Sequence, residues 1–133
     1  MHKNDQTNSL YKNLHLGSSA IIVLCVAFMY GLNPSKILPF VFDFKVESLE
    51  LKNVFRAIMG LYLGFVAYWT IGILKPHHWR NATITNIIFM GGLAFGRIVC
   101  TVFDGISSQY MAGLILELIF MFWGVLNLKK NRK

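Results

Sequence analysis

The chain has 133 residues, of which 55% are hydrophobic and only 14% charged. A soluble domain usually carries about 25% charged residues, so this deficit, with apolar runs of roughly 20 residues, excludes an ordinary soluble domain and indicates an integral membrane protein. The net charge of +7 is not a nucleic-acid signature, because the basic residues stand at the ends of apolar runs rather than on one face interleaved with exposed aromatics.

Residues 1–13 are polar and carry Lys3 and Lys12. Residues 14–32 form the first apolar run. Its long polar lead-in and the lack of an A-x-A-like site before Asn33-Pro34 favour a retained membrane span over a cleaved signal peptide. Residues 33–48 form the longest connection, where Pro34 and Pro39 read as helix breakers. An interfacial loop, a short strand and a partly re-entrant segment are all compatible with its mixture of aromatics, Asp43 and Lys45.

Ser48 followed by Glu50 predicts a helix start, with a cap residue and negative charge at the positive helix end. The second span is expected over residues 49–74. Asn53, Arg56, Gly60, Gly64 and Ala67 share one face of it. Gly60 and Gly64 make a G-x-x-x-G pair suited to close helix packing, as do Gly92 and Gly96 in the third span. Gly113 in the fourth is a further packing candidate.

The third span is expected over residues 82–103, after the basic loop KPHHWRN. Asp104-Gly105 marks a turn, and the fourth span is expected over residues 106–128 before a basic tail, 129–133. Two very short connections between spans predict an all-α, antiparallel four-helix membrane bundle.

Orientation follows from the basic residues. Lys3, Lys12, Lys75, Arg80, Lys129, Lys130, Arg132 and Lys133 lie on one side, against Lys36, Lys45 and Lys52 on the other. Both termini are therefore expected in the cytoplasm. The lipid bilayer is the expected partner, together with a lipid or small-molecule ligand and a second copy or another membrane protein. Cys25 and Cys100 lie in apolar runs and read as small hydrophobes. His2, His15, His77 and His78 are scattered, so no metal or cofactor is expected.

Function turns on ionisable residues set among apolar ones, which are costly in a membrane and face a protein interior or an aqueous cavity. Arg56, Arg97, Asp104 and Glu117 sum to two positive and two negative charges, so a neutralised internal network is expected. At about 1.5 Å per residue, Arg97 lies roughly 9 Å from the outer end of its span and Glu117 roughly 16 Å from the outer end of the next. An arginine side chain spans that difference. On the fourth span Tyr110, Gly113, Glu117 and Gly124 form one stripe. Such a network is compatible with fixing helix register, with an outward-facing ligand or headgroup site, and with a proton path through Glu117. No nucleophile–base pair stands out, so no catalytic residue is expected.

The stretches NVFRAIMGLYLG and GGLAFGRIVCTVFDG, with the glutamate of the fourth span, resemble the domain-of-unknown-function family 4345 of small bacterial membrane proteins. The resemblance covers roughly residues 34–128. It implies a four-span membrane protein with Asn53, Arg56, Gly60, Tyr62, Arg97, Asp104 and Glu117 as signature positions, and it carries no established activity. Cys100-Thr101 stands where a small residue such as serine is expected.

The function expected from these features is a binding or accessory module. Its candidate ligand residues are Asn53, Arg56, Tyr62, Arg97, Asp104 and Glu117. A small oligomeric transporter or channel is the first alternative, and a membrane-embedded isomerase or lipid-modifying enzyme the second.

Overall fold

The computed structural model describes residues 2–131, with side chains from Asn8 onward. Of the basic residues that set the topology, Arg132 and Lys133 and the side chain of Lys3 fall outside that description. Among the described residues every regular element is helical: α1 (His2–Gly31), α2 (Pro34–Phe42), α3 (Leu49–Leu74), a short 3₁₀ turn (Pro76–His78), α4 (Trp79–Phe103) and α5 (Ser108–Lys130). Four helical stretches, Asn8–Gly31, Leu49–Leu74, Pro76–Phe103 and Ser108–Lys130, are long and apolar enough to cross a membrane. Their outer faces agree. Ile88, Phe95 and Val102 of α4 and Ile115, Ile119 and Phe122 of α5 are all exposed, as side chains turned toward lipid must be.

The helix boundaries have local causes. Ser48 caps α3: the Leu51 N–H donates to Ser48 Oγ at 3.1 Å, satisfying one of the donors that a helix start leaves open. The segment 33–48 is neither strand nor irregular loop but contains α2. Pro34 occupies the first turn of that helix, where a missing N–H costs nothing and a fixed φ helps. It starts a helix here rather than breaking one. Asp43 ends α2 in the left-handed region, with φ 55° and its N–H on the Pro39 carbonyl.

By packing, the chain divides into two units, one formed by residues up to Ser19 with those from Trp69 onward, the other by residues 20–68. In the first, Leu16, Trp69, Trp79, Ala82, Phe89, Met90, Ala94 and Phe120 are buried, and Trp69 meets Phe89 edge-on at 5.2 Å between ring centres. In the second, Ala27, Tyr30, Leu38, Val46 and Tyr62 are buried. There Tyr30 packs against Phe42, Phe55 and Tyr62 at 5.7–6.1 Å.

Glycines mark the close approaches, and they are not the ones that the G-x-x-x-G spacing indicates. A Cβ on Gly60, Gly64, Gly92 or Gly96 meets no atom within 4 Å, so these four sit on open helix faces. Side-chain spacing says which residues share a face and leaves open which face turns inward. The close contacts lie at Gly31, where a Cβ overlaps Met59, at Gly72, where it overlaps Ala82, and at Gly124, where it meets Ile87 at 2.7 Å.

Candidate functional site

α4 and α5 run antiparallel, joined by a short turn in which Gly105 takes φ 105°, a conformation that favours glycine. Gly91 faces Met121, and Gly113 lies so close to Arg97 that a Cβ there meets its guanidinium at 3.2–3.5 Å. Gly113 thus lets the guanidinium lie against the α5 backbone. In that position Arg97 Nε donates to both carboxylate oxygens of Glu117, each at 2.9 Å. The Tyr110 ring centre is 5.0 Å from the guanidinium carbon, within cation–π range. Thr101 Oγ donates to the Arg97 carbonyl at 2.8 Å.

The stripe Tyr110–Gly113–Glu117–Gly124 therefore faces into the unit along its length, with Gly124 against the His15 ring. An ion pair among membrane-length helices satisfies the requirement that a charge leaving water be paired and hydrogen-bonded. The burial is uneven: the Glu117 side chain is 9% exposed and that of Arg97 22%.

The other signature residues are placed differently. Asp104 is exposed at the C-terminal end of α4. Asn53 and Arg56 are exposed on the part of α3 that belongs to the unit 20–68. Tyr62 is buried in the aromatic cluster around Tyr30. The expected interior network of four charges is thus a single buried-to-half-buried pair, because Arg56 and Asp104 lie on exposed faces. Both cysteines are also exposed, on outer apolar faces rather than in a core.

A second set of polar residues, unmarked by the ionisable pattern, is more deeply buried than the pair. His15, Ser19, Thr83 and Asn86 are fully enclosed. His15 Nε2 donates to the Phe120 carbonyl at 3.0 Å, which requires the hydrogen on that nitrogen. Ser19 Oγ reaches Asn86 Oδ1 at 3.5 Å, and the Lys12 ammonium lies 4.2 Å over the Trp79 ring. The contacts Lys12–Trp79 and Ser19–Asn86 share one seven-residue step, so α1 and α4 run in the same direction here. His15 Nδ1, Asn86 Nδ2 and Trp79 Nε1 are buried without a hydrogen-bonding partner among the described residues, which is uncommon for buried polar atoms. The sequence signal is a set of residues at three-, four- and seven-residue steps: Lys12 ahead of His15 and Ser19 in the first apolar run, and Trp79 ahead of Thr83 and Asn86 in the third.

Helices of membrane-spanning length, apolar outer faces and an interior ion pair define an all-α, four-span membrane protein. Within that class the assignment is narrower. Residues 11–128 match the family model described as Domain of unknown function (DUF4345), and the chain belongs to that family. No curated protein and no solved structure matched.

Proposed function

We propose that the protein is a membrane-embedded binding or accessory module in which Arg97, held by Glu117, takes the anionic group of a small ligand or lipid headgroup. It works in a bacterial inner membrane with both termini in the cytoplasm, an orientation that the distribution of lysine and arginine supports. The Tyr110 end of α5 then faces outward. The observation that carries this function is the uneven burial of the pair, with Arg97 more than twice as exposed as its carboxylate.

A half-buried arginine beside a nearly enclosed carboxylate leaves one side of the pair accessible to a second anionic group. Arg97 is permanently charged, planar and oriented by Glu117, Tyr110 and Gly113. A carboxylate or phosphate arriving from the exposed side meets charge-assisted donors of fixed direction. Glu117 supplies the countercharge that keeps the site stable between ligands and limits the affinity for any one of them.

Native mass spectrometry of the protein purified in mild detergent tests this. An anionic species retained by the wild type and absent from both Arg97→Gln and the Arg97→Gln/Glu117→Gln double variant supports the site. Retention of the same species by the double variant excludes it.

A small oligomeric transporter is the second function with support of its own. Gly60 and Gly64, and likewise Gly92 and Gly96, present open faces of the small-residue kind that favours close helix packing, which supports the oligomeric part of this reading.

A further inference from the structure

Two grooves meet on α5 at the end nearest the termini. One, of about 260 Å³, is polar at its rim and lies between α1 and α5, lined there by Asn8, Tyr11, Lys12, Asn127, Lys130 and Asn131. The other, of about 490 Å³, runs along α5 over Ile115, Leu118, Ile119 and Phe122. They share two walls, Trp123 and Leu126. The two adjoin at these side chains, the first cationic at its rim and the second apolar.

We propose that this composite groove binds an anionic phospholipid, with the phosphate against Lys12 and Lys130, the glycerol region at Trp123 and Leu126, and an acyl chain laid along α5 toward Ile115.

The dimensions fit a single leaflet. From Leu126 to Ile115 the helix rises roughly 16 Å at 1.5 Å per residue, and half of a hydrocarbon core of about 30 Å is about 15 Å. The charge fits the headgroup. Among the described residues lining the polar groove two are lysines and none is acidic. The Lys12 ammonium lies 4.2 Å over the face of Trp79, which holds its charge in place.

The walls are also fixed. Asn127 Nδ2 donates to the Lys12 carbonyl at 2.8 Å, joining the two helices beneath the headgroup. Asn131 Nδ2 donates to the Asn127 carbonyl and side-chain oxygen at 2.9 and 3.0 Å. Trp123 packs on Phe120 at 5.7 Å and edge-on to His15 at 5.4 Å. The groove is distinct from the Arg97–Glu117 pair: Glu117 lies level with the apolar end of the groove, between Ile115 and Leu118, but is buried on the inward face of α5.

The test uses the intact chain in detergent and compares three probes by native mass spectrometry and thermal shift: phosphatidylglycerol, phosphatidylcholine and water-soluble glycerol phosphate. The wild type is expected to retain phosphatidylglycerol in preference to phosphatidylcholine. Neutralising a lysine at an anionic surface changes retention roughly fivefold, so Lys12→Gln and Lys130→Gln each reduce the preference by that factor. Lys129→Gln removes the same charge from a residue outside the groove and leaves the preference unchanged. Ile119→Trp fills the apolar portion and weakens retention of both lipids.

Equal retention of the two lipids by the wild type overturns the site, and so does an equal loss from all three lysine variants, which marks diffuse surface charge. Competition by glycerol phosphate at the lipid's own concentration overturns the acyl-chain portion and leaves a phosphate site. If a groove variant fails to fold, the wild-type preference measured against salt decides. A headgroup contact weakens as ionic strength rises, and a preference indifferent to salt refutes it.

Discussion

Substituting Glu117 by glutamine keeps the size of the side chain and one acceptor for Arg97 Nε while removing the charge that balances the guanidinium. Both hydrogen bonds of the pair are 2.9 Å long, and the carboxylate side is nearly enclosed. Removing one partner of a buried pair typically costs about 3–5 kcal/mol. Arg97 is only half-buried, which puts the expected loss for Glu117→Gln near the lower bound, about 3 kcal/mol. That is a factor of roughly a hundred in the folding equilibrium, at 1.4 kcal/mol for each tenfold change. Arg97→Gln leaves the more enclosed carboxylate unpaired and is expected to cost at least as much.

The double variant has no stranded charge. It is expected to recover about 1.5–3 kcal/mol relative to the sum of the singles, within the range measured for directly coupled residues. Equilibrium unfolding in mixed micelles of mild detergent and dodecyl sulfate, followed by far-ultraviolet circular dichroism, measures all four corners of the cycle. Arg97→Lys adds a geometric control, since it keeps the charge but lacks the planar Nε donor. Additive losses would falsify the coupling and with it the account of why two ionised residues persist between membrane-length helices.

Three further outcomes are expected. Gly72→Leu and Gly124→Leu, which push side chains into Ala82 and into Ile87 and His15, should each lose about 1–3 kcal/mol from overpacking. Gly60→Leu and Gly92→Leu should stay within about 0.5 kcal/mol of wild type while reducing any oligomer seen by cross-linking; equal losses at all four positions contradict the assignment of open and closed faces. His15→Phe keeps an aromatic ring but removes the donor to Phe120, with an expected loss of about 0.5–1.5 kcal/mol in the same unfolding assay, and an unchanged midpoint means the ring nitrogen contributes nothing. Ser48→Ala removes the cap on α3 and should cost about 1 kcal/mol, with Ser48→Asp restoring most of it; an alanine variant as stable as wild type removes the cap from the account.

What the chain determines locally is legible residue by residue. Hydropathy and length indicate four spans because a span answers to its own composition: it must be apolar over the thickness of the bilayer whatever it packs against. The second span, expected over 49–74, is helical from Leu49 to Leu74, and Ser48 caps it as its type and position indicate. The approach of Arg97 to Glu117 was also within reach, since helical rise and side-chain length set their depths.

Tertiary structure alone decided which faces turn inward. Gly60 and Gly64 have the same spacing as an interface pair, yet a spacing of four is satisfied equally by a face toward protein and a face toward lipid. In a membrane both surroundings are apolar, so composition does not separate them. For the same reason His15, Ser19 and Asn86 read as isolated polar residues on two separate helices. Only the pairing of α1 with α4 at a shared seven-residue step makes them one enclosed cluster. Arg56 and Asp104 complete an electrically neutral set on paper, but charge balance is a sum over residues, whereas an ion pair requires contact. Contact is a property of how helices rotate about their axes, and that rotation is set by the whole packed interior rather than by any one stretch of chain.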